Sequence, residues 1–401
     1  MPVILMGMND VSTISKKSSA PRMVSSDRHV LSLSYLQRRL AVLHPAYFAL
    51  VMATGIVSIG CQLMGLSEVA TLLFWINVPA YAGLWLIYGA RAWLFPSSFM
   101  ADWISHKRGF GFFTLVAATN VLGSQFFLME NNVAVAEIFW WAGFALWLVC
   151  TYSIFVLLAV QKQKPPIEEG INGGWLIAVV ATQSVSVLGA LVKPSILGSD
   201  DLSAVLLLSF WLFGGMLYIW LISLIFYRYM FFRFEPSDLI PPYWINMGAV
   251  AITTLTGVEL INAFEGVPAI QGMLPFIKGM TTMYWATATW WIPMLLVLGV
   301  WRHGIRRFKL TYDPLYWGLV FPLGMYAVCT LKLGAILGVP MFMIVARIFI
   351  VVALIAWLLT FLSMIKRPLY AVLLVARTGS RDTTIFPDTQ LNGGDRENAQ
   401  R

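Results

Sequence analysis

A chain of 401 residues that is 59% hydrophobic and only 11% charged holds more apolar surface than a water-soluble globule of this length can bury. Lipid is the solvent that fits, and 17 Trp, 26 Phe and 14 Tyr suit helices with bulky packing and aromatic anchors at a bilayer interface. The net charge of +8 does not indicate a nucleic-acid partner, because the basic residues are scattered between apolar runs and form no basic face on a soluble domain.

Residues 1–44, rich in Ser, Lys and Arg, are expected to be a disordered cytoplasmic tail. A cleavable signal peptide is not expected, since Lys16, Lys17, Arg38 and Arg39 precede no isolated short apolar core. Residues 45–365 then read as one ten-helix transmembrane domain with no second domain, because a spanning helix needs about 20 mainly apolar residues. The windows are 45–64, 69–95, 110–129, 137–160, 173–192, 202–227, 243–263, 279–300, 314–337 and 340–365. Their short connections predict five antiparallel helical hairpins in an all-α bundle. Residues 366–401 are expected to be a second cytoplasmic tail. Cys61, Cys150 and Cys329 each lie inside an apolar run with no close Cys or His, which points to buried thiols and implies neither a disulfide, a metal site nor any cofactor.

Basic residues alternate with this helix count. With both ends inside, only Lys193 and Lys278 of the 27 Lys and Arg fall in outer loops, and Lys332 and Arg347 fall within helices. The outer loops instead carry Glu68, Glu130, Glu137, Asp200, Asp201 and Glu265. That is the positive-inside pattern, and it predicts a multi-pass protein of the cell membrane, plasma or inner, with cytoplasmic termini.

The odd-numbered helices resemble one another. YFALVMATG from Tyr47, FFTLVAATN from Phe112 and WLIAVVATQ from Trp175 each open on aromatic or apolar residues and reach an Ala-Thr step about two turns later. YWINMGAVAITT from Tyr243 and YWGLVFPLG from Tyr316 keep the opening. Two readings of Thr54, Thr119 and Thr182 stay open: hydroxyls lining a central path, or hydroxyls bonded to their own backbone at close helix contacts.

HPAYFALVMATGIVSIG (His44 to Gly60), WWIPMLLVLGVWRH (Trp290 to His303) and DPLYWGLVFPLGMYAVCTLKLG (Asp313 to Gly334) resemble the tellurite-resistance/dicarboxylate transporter family. Malate transporters, sulfite efflux proteins and the slow-type anion channels of plant guard cells belong to it. The resemblance implies five helical hairpins around a central pore lined by the odd helices, in a homotrimer whose subunits each keep a pore. It implies anions as substrate, organic dicarboxylates such as malate or small inorganic anions, and a phenylalanine plugging the pore, at the position of Phe321. Independently, an apolar ring in a narrow pore expels water, and Pro322 removes a helix hydrogen bond beside it. Met325 and Tyr326 are bulkier than the small residues often found beyond that phenylalanine, which leaves pore width open.

Glu259, Lys332 and Arg347 lie at membrane depth, where ionisable groups are costly unless paired or watered. At about 1.5 Å per residue all three fall in the outer third. Eleven residues from Phe321 to Lys332 leave about 20° of rotation, so the two share a helix face. An ammonium at the outer mouth would concentrate anions, with Arg347 holding a carboxylate or pairing with Glu259. The alternative is a structural ion pair, Glu259 with Arg347 or with Lys332.

An enzyme is the rival class, but His29, His44, His106 and His303 sit in the inner tail or at inner helix ends and no catalytic constellation lies at depth. Nothing marks a receptor's sensing domain. Channel and carrier are not separated by the sequence. Glu259 is the carboxylate placed well within a helix that a proton-coupled carrier would need, and dicarboxylate, sulfite, tellurite oxyanion, chloride or nitrate would each suit a basic vestibule.

Overall fold

The computed structural model describes residues 35–194 and 198–378. Among these, ten helices are long and apolar enough to cross a membrane: α1 (Pro45–Leu63), α2 (Ser67–Leu94), α3 (Gly109–Glu130), α4 (Val133–Val160), α5 (Gly173–Val192), α6 (Asp200–Phe231), α7 (Pro241–Phe264), α8 (Leu274–Ile305), α9 (Pro314–Leu337) and α10 (Met341–Lys366). The odd helices match their windows closely. Of the even ones, α2 stays within two residues of its window, while α4, α6 and α8 outrun theirs by up to a turn or more.

Burial separates the two sets. In their most apolar stretches the odd helices are 72 to 89% buried and the even ones 22 to 50%. The odd helices pack in a closed ring, α1 against α3, α3 against α5, α5 against α7, α7 against α9, and α9 back against α1. Each even helix lies outside, turning Trp75, Leu86, Trp93, Ile138, Trp220, Trp290, Val297 and Leu359 outward. Apolar surface on that scale is stable only against lipid or another protein.

The repeat is written into both the ends and the middles of the inner helices. Each opens with a single 3-10 turn: Pro45–Phe48, Gly109–Phe112, Gly173–Leu176, Pro241–Trp244 and Pro314–Tyr316. Three are capped by a side chain accepting a backbone N–H: His44 Nδ1 from Ala46 at 3.1 Å, Asn172 Oδ1 from Gly174 at 2.8 Å, and Asp313 Oδ1 from Leu315 at 2.8 Å. These bonds satisfy donors that a helix start otherwise leaves without partners. Further along, an outer aromatic side chain reaches each inner helix. Tyr81 of α2 meets Thr119 of α3 at 2.9 Å, and Trp147 of α4 donates to Thr182 of α5 at 2.9 Å. Trp211 of α6 donates to the Thr253 carbonyl of α7 at 2.9 Å, Trp285 of α8 to Thr330 of α9 at 3.0 Å, and Trp357 of α10 to Thr54 of α1 at 2.9 Å.

Two expectations about the tails change at their edges. Tyr35–Ala41 is helical, and the buried guanidinium of Arg91 donates to the Ala41 carbonyl, which ties this segment to the bundle. At the other end the last helix continues to Thr378, past the expected limit at 365. The tails at 1–34 and 379–401 lie outside the described residues.

Candidate functional site

Three spaces follow one another along the axis of the inner ring. At the end where the odd helices begin lies a vestibule of about 340 Å³, bordered by His44, Lys107, Arg108, Asn172, Arg228 and Asp238, among others. Next comes a narrow apolar space of about 20 Å³ lined by Met52 of α1, Thr114 of α3, Val180 of α5, Ile245 of α7 and Phe321 of α9. It shares Ala46, Ile177, Pro242 and Leu315 with the vestibule. Towards the far end of the same helices is a cavity of about 30 Å³, whose lining includes Asn120, Ser124, Ser184, Glu259, Met325 and Lys332. Such a space holds one or two waters.

Helical spacing explains why these side chains share an axis. Gly318, Phe321, Met325, Val328 and Lys332 border the two narrow spaces at steps of three and four residues, one face of α9. Phe321 is 1% exposed, and its ring stands between the vestibule and the far cavity. The shared face expected for Phe321 and Lys332 is present.

The vestibule is held by arginines that are themselves anchored. Arg91, buried to 1%, and Arg108 both pair with Asp102, at 2.5 and 3.1 Å. Arg228 donates to the Glu168 carbonyl at 2.8 Å and to the Tyr243 hydroxyl, with Asp238 at 3.6 Å. Burial, then Arg108 and Arg91, push the His44 imidazole down to about 3. A neutral ring is what its Nδ1, accepting from Ala46, requires. His106 is also lowered, by burial and then by Lys164.

At the far cavity Lys332 Nζ meets Glu259 Oε1 at 2.5 Å, with the ammonium side chain 20% and the carboxylate side chain 8% exposed. Of the two pairings left open by the sequence, this is the one formed. Arg347 is exposed on the outer side of α10 and does not join it, so its expected place beside Glu259 is corrected.

The threonines resolve differently from a path lining. Thr54, Thr119 and Thr182 border none of these spaces. Thr119 and Thr182 donate to the carbonyls four residues back, Leu115 at 2.7 Å and Ala178 at 2.8 Å, and all three meet the outer aromatics described above. The reason is angular: Thr54 stands two residues from axis-facing Met52 and Ile56, and Thr182 two from Val180 and Ser184, about 200° around the helix. Pro322 likewise borders no cavity, its ring lying 2.7 Å from where a Cβ on Gly248 of α7 would stand. Tyr326 turns to the outer ring, bonding Thr289 at 2.7 Å, so only Met325 of that bulky pair narrows the axis. Asn120, Ser124 and Ser184 are the polar lining that the sequence pattern did not single out. They stand one to five residues beyond Thr119 and Thr182, turned about 100 to 200° around the helix from them.

Residues 42–365 match the SLAC1 family, described as voltage-dependent anion channels, a match over the whole ring and its outer helices. The chain belongs to the SLAC1 family. Similar proteins include an uncharacterized transporter of Methanocaldococcus jannaschii, 28% identical over 300 residues that cover 73% of this chain and 85% of that protein. An uncharacterized membrane protein of Mycobacterium tuberculosis is 36% identical over 151 residues, 37% of this chain and 75% of its own length. A sulfite efflux pump of Trichophyton rubrum is 24% identical over 342 residues, 79% of this chain and 88% of the pump. This SLAC1-family protein is thus a multi-pass membrane protein of an anion-transporting family.

Proposed function

We propose that the chain passes small anions along the axis of its inner ring, with Phe321 as the gate between a cytoplasmic vestibule and an outer cavity. The carrying observation is the apolar ring of Phe321 in the narrow space between a charged vestibule and the cavity holding Lys332. A closed apolar constriction excludes water and therefore ions. At the wide end Lys107, Arg108 and Arg228 stand against Glu168, Glu169 and Asp238, so the vestibule is polar and watered with its charges balanced.

The orientation follows from the basic residues at the vestibule end, which the positive-inside rule puts in the cytoplasm of a plasma or inner membrane. The similarity to sulfite efflux pumps favours a small oxyanion such as sulfite as the substrate. Because the ring closes on itself within one chain, a homotrimer would carry one path in each subunit.

Phe321→Ala is expected to raise anion flux into reconstituted vesicles several-fold over the unaltered protein, and Phe321→Leu to raise it less. Reversal potentials with one anion replaced at a time then rank chloride, nitrate, sulfite and malate. An alanine variant that inserts normally with flux unchanged or lower would make Phe321 a packing residue. A high permeability to malate would return the dicarboxylate as substrate.

A further inference from the structure

The far cavity is electrically neutral as it stands. Its lining holds one ammonium, Lys332, and one carboxylate, Glu259, in direct contact, with the remaining wall apolar apart from Asn120, Ser124 and Ser184. The small hydroxyls are committed: Ser124 donates to the Asn120 carbonyl at 2.9 Å, and Ser184 to the Ala181 carbonyl at 2.7 Å. An anion that arrives here meets no uncompensated positive charge, and burying it beside Glu259 would set two like charges together in a low-dielectric wall. The ammonium is the more exposed member of the pair, so it is the group an incoming anion can reach.

We propose that Lys332 is the anion-binding group of this cavity and that Glu259 is its tethered competitor, which a passing anion must displace. The proposal rests on the axis being the anion path. The exchange takes one proton as co-reactant: the Glu259 carboxylate leaves Lys332 and binds a proton from outer water, the cavity gains one positive charge, and the entering anion restores neutrality. On leaving, the anion gives Lys332 back to Glu259, which returns the proton. The ligand class is a small anion with one charge to exchange, a halide or an oxyanion oxygen in place of a carboxylate oxygen. The site lies eleven residues beyond Phe321 on the same face, roughly 16 Å along α9.

Other charged groups at this end are engaged elsewhere or stand in the loops. Lys193, which ends α5, lies over the Phe264 ring, Lys278 of α8 donates to the Ile336 carbonyl, and Asp201 of α6 accepts from the Ala269 N–H. Glu68 at the start of α2, Glu130 at the end of α3, Asp200 at the start of α6 and Glu265 after α7 are exposed, as is Arg347 on α10, and Glu137 is half-buried near the start of the outer helix α4. Among the described residues, Lys332 is the charged partner of Glu259.

The test uses chloride, which does not titrate, and measures whole-cell current in the Phe321→Ala background with the cytoplasmic side buffered. With the path open, acidifying the bath is expected to raise the current and lower the half-saturating bath chloride. Adding Glu259→Gln should give the low half-saturation already at neutral pH and abolish the response to acid, and Lys332→Gln should raise half-saturation several-fold. Either single change could impair folding, so the Glu259→Gln, Lys332→Gln pair is measured too; it should insert normally and keep the high half-saturation of Lys332→Gln. A conducting Phe321→Ala protein whose half-saturation and acid response survive Glu259→Gln would overturn the competitor while leaving the path intact. Lys332 as the binding group is overturned if the double variant keeps the half-saturation of its Phe321→Ala parent, and the competitor is overturned if only cytoplasmic acid alters the current. No current from Phe321→Ala itself would remove the path and this site together.

Discussion

Around each inner helix, the side turned to the axis and the side turned to the outer ring use polar groups in different ways. On the outward side, Thr54, Thr182 and Thr330 each accept from an indole N–H of a neighbouring outer helix, so hydroxyls serve as fasteners between the rings. On the inward side, polar groups are few and set among apolar walls, and the charged ones, Lys332 and Glu259, meet directly at the edge of a space large enough for water. Hydrogen bonding inside a membrane is worth most where the alternative is a bare polar group in hydrocarbon. Fasteners therefore belong to the ring contacts, and the axis is left with groups that can exchange partners.

The largest effect that could break this contrast concerns Lys332. Lys332→Gln leaves the Glu259 carboxylate, 8% exposed, without its counter-charge. Stranding one member of a buried pair costs about 3–5 kcal/mol, so thermal unfolding in detergent should shift down markedly, and adding Glu259→Gln should restore most of the loss. A Lys332→Gln protein of undiminished stability would mean that water in the cavity already compensates the carboxylate, and the axis would be wetter than its lining suggests.

How far this contrast was legible in the sequence follows from which physical signal each feature leaves. Ten spans and their alternation with basic residues were readable because hydrophobic length and loop charge are one-dimensional quantities. The shared face of Phe321 and Lys332 followed from 100° per residue alone. The same arithmetic needs an anchor, and the Ala-Thr step has none: Thr54, Thr119 and Thr182 were recognisable as equivalent positions, but equivalence does not say whether the common face looks in or out. What decides it is the Trp and Tyr donors on the even helices, and a bond between Trp357 and Thr54 spans 303 residues. Arg347 was misplaced for a related reason, since depth along α10 is set by the sequence and direction around it by packing.

A smaller effect is expected at the vestibule, where the axis meets the cytoplasm. Unfolded, His44 takes a proton near its ordinary value of about 6.5, and folded it resists until about 3. The unfolded chain thus binds more protons across that interval, and the folded state loses stability as pH falls from about 6.5 towards 3. Between pH 7.5 and 5 the loss is about 2 kcal/mol if His44 acts alone. His44→Asn keeps an acceptor for the Ala46 N–H while removing the titration. Its unfolding temperature should fall less steeply with acid than that of the unaltered protein, and an identical pH profile would assign the acid sensitivity to another group.

The smallest effect is the sharpest test of which face is which. Thr54→Val preserves shape while removing the acceptor of the Trp357 indole N–H, a bond of 2.9 Å between groups 1 and 7% exposed. An indole left without a partner at that depth costs about 1 kcal/mol or slightly more, and the loss should appear in unfolding temperature. Because Thr54 points away from the axis, anion flux, selectivity and half-saturation should be those of the unaltered protein once folded amounts are matched. Ser124→Ala, on the axis side of α3, should behave in the opposite sense, changing the dependence of flux on anion concentration with little change in stability. Its hydroxyl is bonded only to its own helix, so no contact between rings is lost. A Thr54→Val protein with altered anion selectivity would show that the fasteners also shape the path, and the division of each inner helix into a structural and a conducting face would then fail at α1.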